Sequence, residues 1–216
     1  LMFEEADGRH RATVNIYGRV TTMTRRVVAV FEDVVTVDTT VERLPFETER
    51  SSIYQKPLVL PSGRYRLEVI VKDVVAETMS TYRTAMTVPK FEEDKLASSS
   101  LILADRIERV PLRSLGTGQF VIGGSKVRPR ISDEFRQNER LGIYLQVYNL
   151  GADETTNQPK GTVTYQVARA GQPDELLLDF TEQISEIRGA TTKQVVVEKL
   201  LPLKSLDPGE YQLRLK

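Results

Sequence analysis

Acid–base or nucleophilic chemistry in this chain of 216 residues is constrained first by its side chains, because His10 is the only histidine and cysteine is absent. A Ser-His-Asp triad or a histidine acid–base pair must therefore use His10. That residue stands in Asp7-Gly8-Arg9-His10-Arg11, a charged turn ahead of the first expected strand, where a solvated surface histidine is the simplest reading. Without cysteine there is no thiolate zinc site, iron–sulfur cluster, cysteine nucleophile or disulfide framework.

Three other groupings bear on chemistry. Gly116-Thr117-Gly118 through Gly123-Gly124-Ser125-Lys126 has the glycines of a phosphate loop, but the order is Gly-Gly-Ser-Lys and a strand with Pro129 follows. A phosphate loop needs Gly-Lys-Ser/Thr opening a helix, so Gly123-Gly124 reads as a two-residue hairpin turn. Acidic groups cluster at Glu4-Glu5-Asp7, Glu92-Glu93-Asp94 and Asp153-Glu154. Oxygen ligands of this kind hold Ca²⁺ in some tandem β-domains, yet none forms the Asp-x-Asp-x-Asp-Gly loop, and solvated charge is the expectation. Tyr144 and Tyr148 share one face of a strand and are the candidates for surface binding of a sugar ring; half-buried rings with hydroxyls at the rim are the plainer alternative. No metal or cofactor is expected, and no catalytic residue is assigned.

The elements that would carry these residues are strands. Period-2 alternation dominates: Tyr65, Leu67, Val69 and Val71 point one way while Arg66, Glu68 and Lys72 point the other. Similar runs occupy 13–23, with Gly18 at a bulge, 26–37, 53–60, 78–88, 142–149, 162–169, 176–180 and 194–200. Short strands separated by turn residues at this spacing indicate an all-β chain of sandwich type.

Lys+Arg 30 balance Asp+Glu 30, so no uniform field recruits nucleic acid. No apolar run approaches the ~20 residues that span a bilayer. Beginning at Leu1 without a charged-then-apolar leader, the sequence is expected to be a piece whose targeting signal was removed or lies upstream.

Domain organisation follows from composition and from a repeat. Residues 90–99 are polar, charged and serine-rich, the composition of a linker, which places one β-sandwich at 1–89 and a second at 100–216. Leu60-Pro61-Ser62-Gly63-Arg64-Tyr65-Arg66-Leu67 matches Leu206-Asp207-Pro208-Gly209-Glu210-Tyr211-Gln212-Leu213 in its leucines, glycine and tyrosine. In Greek-key sandwiches a tyrosine so placed returns its hydroxyl to the backbone upstream, so Tyr65 and Tyr211, with Gly63 and Gly209, are read as structural tyrosine corners. The expected fold is two tandem immunoglobulin- or fibronectin-III-like β-sandwiches. In that register the second domain ends inside its sixth strand and lacks its last, leaving an edge for strand addition by another protein.

The segments 98–107, 116–124 with Lys126-Val127-Arg128-Pro129, 142–149 and 201–209 together resemble the C-terminal region of the GWxTD-domain proteins of acidobacteria and related bacteria. The naming motif is absent, since the chain contains no Trp. The resemblance implies a bacterial, periplasmic or secreted setting and supplies no activity. Taken together, these readings point to a non-catalytic structural or protein-interaction region of a larger envelope or secreted protein, with a carbohydrate-binding or accessory module of a hydrolase as the alternative.

Overall fold

The structure, a computed structural model, describes residues 1–49, 51–111, 119–122 and 124–216. It is nearly all β, with antiparallel pairing throughout, and it divides into two compact units, Leu1–Lys90 and Phe91–Lys216.

Unit 1 is built on β1 (Glu4–Ala6), β2 (Arg9–Thr22), β3 (Val27–Thr39), β4 (Gly63–Asp73) and β5 (Thr78–Val88), with a short helix α1 (Leu44–Glu49). These strands form one sheet in the order β3-β2-β4-β5, and β1 continues the β4 column beside the start of β2. Alternation in β2 decides its faces: Ala12, Val14, Ile16 and Val20 are buried, whereas Asn15 and Arg19 between them are exposed. The irregularity expected at Gly18 lies instead between Val20 and Thr21. Gly18 has a packing role, because a Cβ there would sit 2.0 Å from the Phe31 ring that crosses it from β3.

Residues 53–60 carry strand-like alternation but form no strand. Pro57 and Pro61 withhold ladder donors, and the side chains are used against the sheet. Tyr54 stacks on Phe31 with centroids 6.4 Å apart and donates its hydroxyl to Asp33, which Lys56 also reaches at 2.8 Å. What packs on the inner face of the sheet at Phe31 and Asp33 is thus a coil segment; among the described residues the strands of unit 1 belong to a single sheet.

Unit 2 contains β6 (Ala97–Ser98), β7 (Ile102–Arg109), β8 (Val121–Ile122), β9 (Ser125–Pro129), β10 (Arg140–Tyr148), β11 (Thr162–Arg169), β12 (Leu176–Gln183), β13 (Gln194–Pro202) and β14 (Tyr211–Leu215). One sheet runs β13-β10-β7-β9-β8 with β6 also on β10, and a smaller one runs β12-β11-β14. Between them Ile143, Val195, Val197 and Leu201 meet Val163, Tyr165 and Val167. Tyr165 and Phe180 stack at 4.5 Å. A second cluster, Ala104, Val127 and Tyr144, fills the other face of the larger sheet, so β10 is buried on both sides. Close approach requires a glycine at one point of that strand: a Cβ on Gly142 would stand 2.7 Å from the Ala104 carbonyl oxygen.

Phe91–Ser99 has linker composition but is fastened to unit 2. Asn149, with φ 60, donates its side-chain amide to the Glu92 and Lys95 carbonyls at 2.8 and 3.0 Å. Phe91 packs on Tyr148 at 5.3 Å, and β6 pairs with the end of β10.

Candidate functional site

The repeated tyrosines sit at the start of β4 and of β14, each just after a turn that contains proline and glycine. Tyr65 is buried and donates its hydroxyl to the Pro61 carbonyl at 2.8 Å. Tyr211 is half-buried and donates to the Asp207 carbonyl, again four residues upstream. The glycines differ. At Gly63 a Cβ would meet the Tyr65 hydroxyl at 3.3 Å, so glycine lets the ring lie close; at Gly209 the nearest atom is Arg169 Nη1 at 3.6 Å, an ordinary contact. Arg169 also lies over the Tyr211 ring at 5.8 Å and pairs with Asp207 at 3.4 Å.

Tyr144 and Tyr148 are held by a residue the sequence reading passed over. Gln146, midway between them on the same face, donates to the Tyr144 hydroxyl at 2.6 Å and accepts from the Tyr148 hydroxyl at 2.5 Å. Tyr144 in turn donates to the Ile122 carbonyl at 3.4 Å and is only 1% exposed. Burial raises the pKa of both phenols above the ordinary value. The surface aromatic pair is therefore not formed: Tyr144 is covered by Ile122 of β8, and Tyr148 is partly covered by Phe91. A period-2 reading that included Gln146 would have placed it on the same face, midway between the two tyrosines.

His10 lies in β2, opposite Glu5 on one side and Thr39 on the other, rather than in a turn before the first strand. Ile122 pairs with Ser125, so the hairpin connection spans 123–124; Gly116, Thr117, Gly118 and Gly123 themselves lie outside the described residues. Among the described residues no group of three or more histidine, aspartate or glutamate side chains gathers to hold a metal ion. Asp153 instead caps its own turn, accepting from Thr156 N at 2.9 Å and Thr155 N at 3.1 Å, which lowers its pKa. Glu92 pairs with Lys95 at 2.6 Å.

Two buried-rim carboxylates show how acids are handled here. Burial alone would raise the Glu182 pKa, but hydrogen bonds with Lys199 and Tyr165 outweigh it and the net direction is down. Lys199 also lies over the Tyr165 and Phe180 rings, at 5.6 and 5.1 Å. Asp33 is lowered by Lys56 first and by Tyr54 next. Both are closed structural pairings, with each carboxylate spent on a cation and a phenol.

Open hydrogen-bonding capacity lies at the sheet margins. β14 pairs only with β11, and β3 only with β2, so the outer edge of each faces no strand among the described residues. Comparison with protein-family models finds no match, and comparison with curated proteins finds none.

Proposed function

We propose that this chain is a non-catalytic structural and protein-interaction region of a larger bacterial envelope or secreted protein, as its resemblance to the C-terminal region of GWxTD-domain proteins implies. Unit 2, with its two facing sheets, is read as a relative of immunoglobulin- and fibronectin-III-type modules, and the partner is a protein that adds a strand. The observation that carries this reading is the free outer edge of β14, a strand fixed in register with β11 from Arg169↔Tyr211 to Tyr165↔Leu215. A strand held on one side and open on the other presents a fixed row of backbone donors and acceptors, which is the template that β-augmentation uses.

A photo-crosslinking residue at Gln212, exposed on β14, tests this in cells that make the protein. The reading expects covalent adducts to one protein from position 212 and not from Val59, which is fully exposed in the coil. Equal labelling from both positions, or tight retention of the protein by polysaccharide, overturns it.

A further inference from the structure

Among the described residues the longest edge without a strand partner belongs to unit 1. β3 runs 13 residues, Val-Val-Ala-Val-Phe-Glu-Asp-Val-Val-Thr-Val-Asp-Thr, and the safeguards against edge pairing that it keeps along its length are three acidic side chains, of which Asp33 faces inward and is already paired with Lys56. It contains no proline, glycine, lysine or arginine, and its irregularity is confined to the hairpin end, near Val27. Residues 29–39 are therefore a regular, β-branched template. The coil 53–60 holds Asp33 from the inner face but makes no backbone hydrogen bond to β3 among the described residues. On the outer face Val30 is 51% exposed, and Val34, at 67%, is the most exposed valine of the strand.

What such an edge accepts is decided by its charges, Glu32, Asp33 and Asp38, with no basic residue among them. Two copies of β3 related by a two-fold axis through the sheet must pair antiparallel, with each residue opposite one on its own face. Centring that axis on residue 32 or 33 sets an acid against itself, and centring it on 35 sets Glu32 against Asp38; like charges directly opposite are destabilising. Centring it on Val34 avoids every such clash. Glu32 then faces Thr36, Asp33 faces Val35, Phe31 faces Val37, and Val30 faces Asp38, whose carboxylate is already held by Arg11 at 2.7 Å. This register keeps the whole regular stretch 29–39 paired, whereas axes at 30, 31 or 36 pair shorter stretches, and those at 30 and 31 run into the irregular end.

We infer that β3 is a self-association edge: a second copy of this chain adds its own β3 antiparallel across a two-fold axis at Val34, joining two sheets into one with both inner faces on the same side. The longest clash-free register places the strand's most exposed valine on the axis, where the two side chains cover each other. This edge is separate from β14, so the two readings stand or fall independently.

Because the chain contains no cysteine, a single introduced one reports on this register alone. In the full chain, Val34→Cys sets two thiols opposite one another across the axis, and opposed antiparallel residues have Cα separations of ~4.5–5.5 Å, within disulfide range. Mild oxidation is expected to give a covalent dimer rapidly from Val34→Cys and slowly from Thr36→Cys, whose mate is residue 32. Sedimentation of the unmodified protein is expected to show a monomer–dimer equilibrium that Val34→Lys weakens about tenfold or more by opposing two ammonium groups, with an unchanged circular dichroism spectrum. A protein that stays monomeric as concentration rises overturns the inference, as does a Val34→Cys variant that cross-links no faster than Thr36→Cys. Amide exchange within 29–39 of the unmodified protein gives a variant-free check: protection must rise with protein concentration, and protection independent of concentration overturns the inference.

Discussion

At the residue scale, the informative side chains are those that close a local circuit. Tyr65 reaches back to Pro61 and Tyr211 to Asp207. Replacing Tyr65 by Phe removes one buried side-chain-to-backbone bond and is expected to cost about 1 kcal/mol, read from urea unfolding. The same change at Tyr211, whose ring is more exposed, is expected to cost less. Gly18 has a different logic. Adding a methyl there drives the Phe31 ring off its seat and disturbs the stack with Tyr54, so Gly18→Ala is expected to destabilise unit 1 by about 1–3 kcal/mol through overpacking. A melt unchanged by Gly18→Ala counts against a fixed Phe31. The Asp33 pairing adds a pH dependence of known sign. Its carboxyl titrates lower in the folded chain than the ordinary aspartate value of 3.8. Its stabilising contribution is therefore complete above that ordinary value and is lost as pH falls through the lower folded one. Melting temperatures followed into acid should drop in that window, and Asp33→Asn, already without the charge, should show a shallower drop.

At the scale of elements, the strands were legible because alternation is a local property. The runs at 78–88 and 162–169 coincide with β5 and β11, and the others, 53–60 apart, shift only at their ends. Residues 53–60 show why alternation does not suffice. Tyr54 and Lys56 share a face as strand residues do, but both are committed to Asp33, and two prolines deny this stretch a ladder. The same limit hid the character of the Tyr144 row. Alternation placed Tyr144 and Tyr148 together, while what covers them comes from β8 and Phe91, and no local pattern reports a distant cover. Gly142 belongs to this class of non-local fact. Its need for glycine comes from the Ala104 carbonyl on β7, a backbone atom that cannot swing aside. Gly142→Ala is accordingly expected to cost unit 2 more than Gly209→Ala, which meets only a side-chain terminus at van der Waals distance; paired denaturation curves decide it.

At the scale of the whole molecule, what composition hid is the allegiance of the segment between the two units. Residues 90–99 read as a linker because they are polar and serine-rich, yet Asn149 clamps two of their carbonyls and β6 adds to the larger sheet of unit 2. Composition reports solvent exposure, and this segment is indeed mostly exposed; it says nothing about where backbone carbonyls find donors. Asn149 performs two tasks there, holding a left-handed backbone and supplying both amide hydrogens. Two substitutions separate them. Asn149→Gly keeps the conformation and loses the clamp, whereas Asn149→Ala loses both. Cleavage by trypsin at Lys95 is expected to accelerate in both variants relative to the unmodified chain, because each frees the carbonyls of Glu92 and Lys95, and global stability is expected to fall further for Ala than for Gly. If only Ala accelerates cleavage, the left-handed turn alone holds the segment. If neither does, β6 and the Phe91–Tyr148 contact suffice, and the allegiance of 91–99 to unit 2 rests on packing and strand pairing instead of the asparagine clamp.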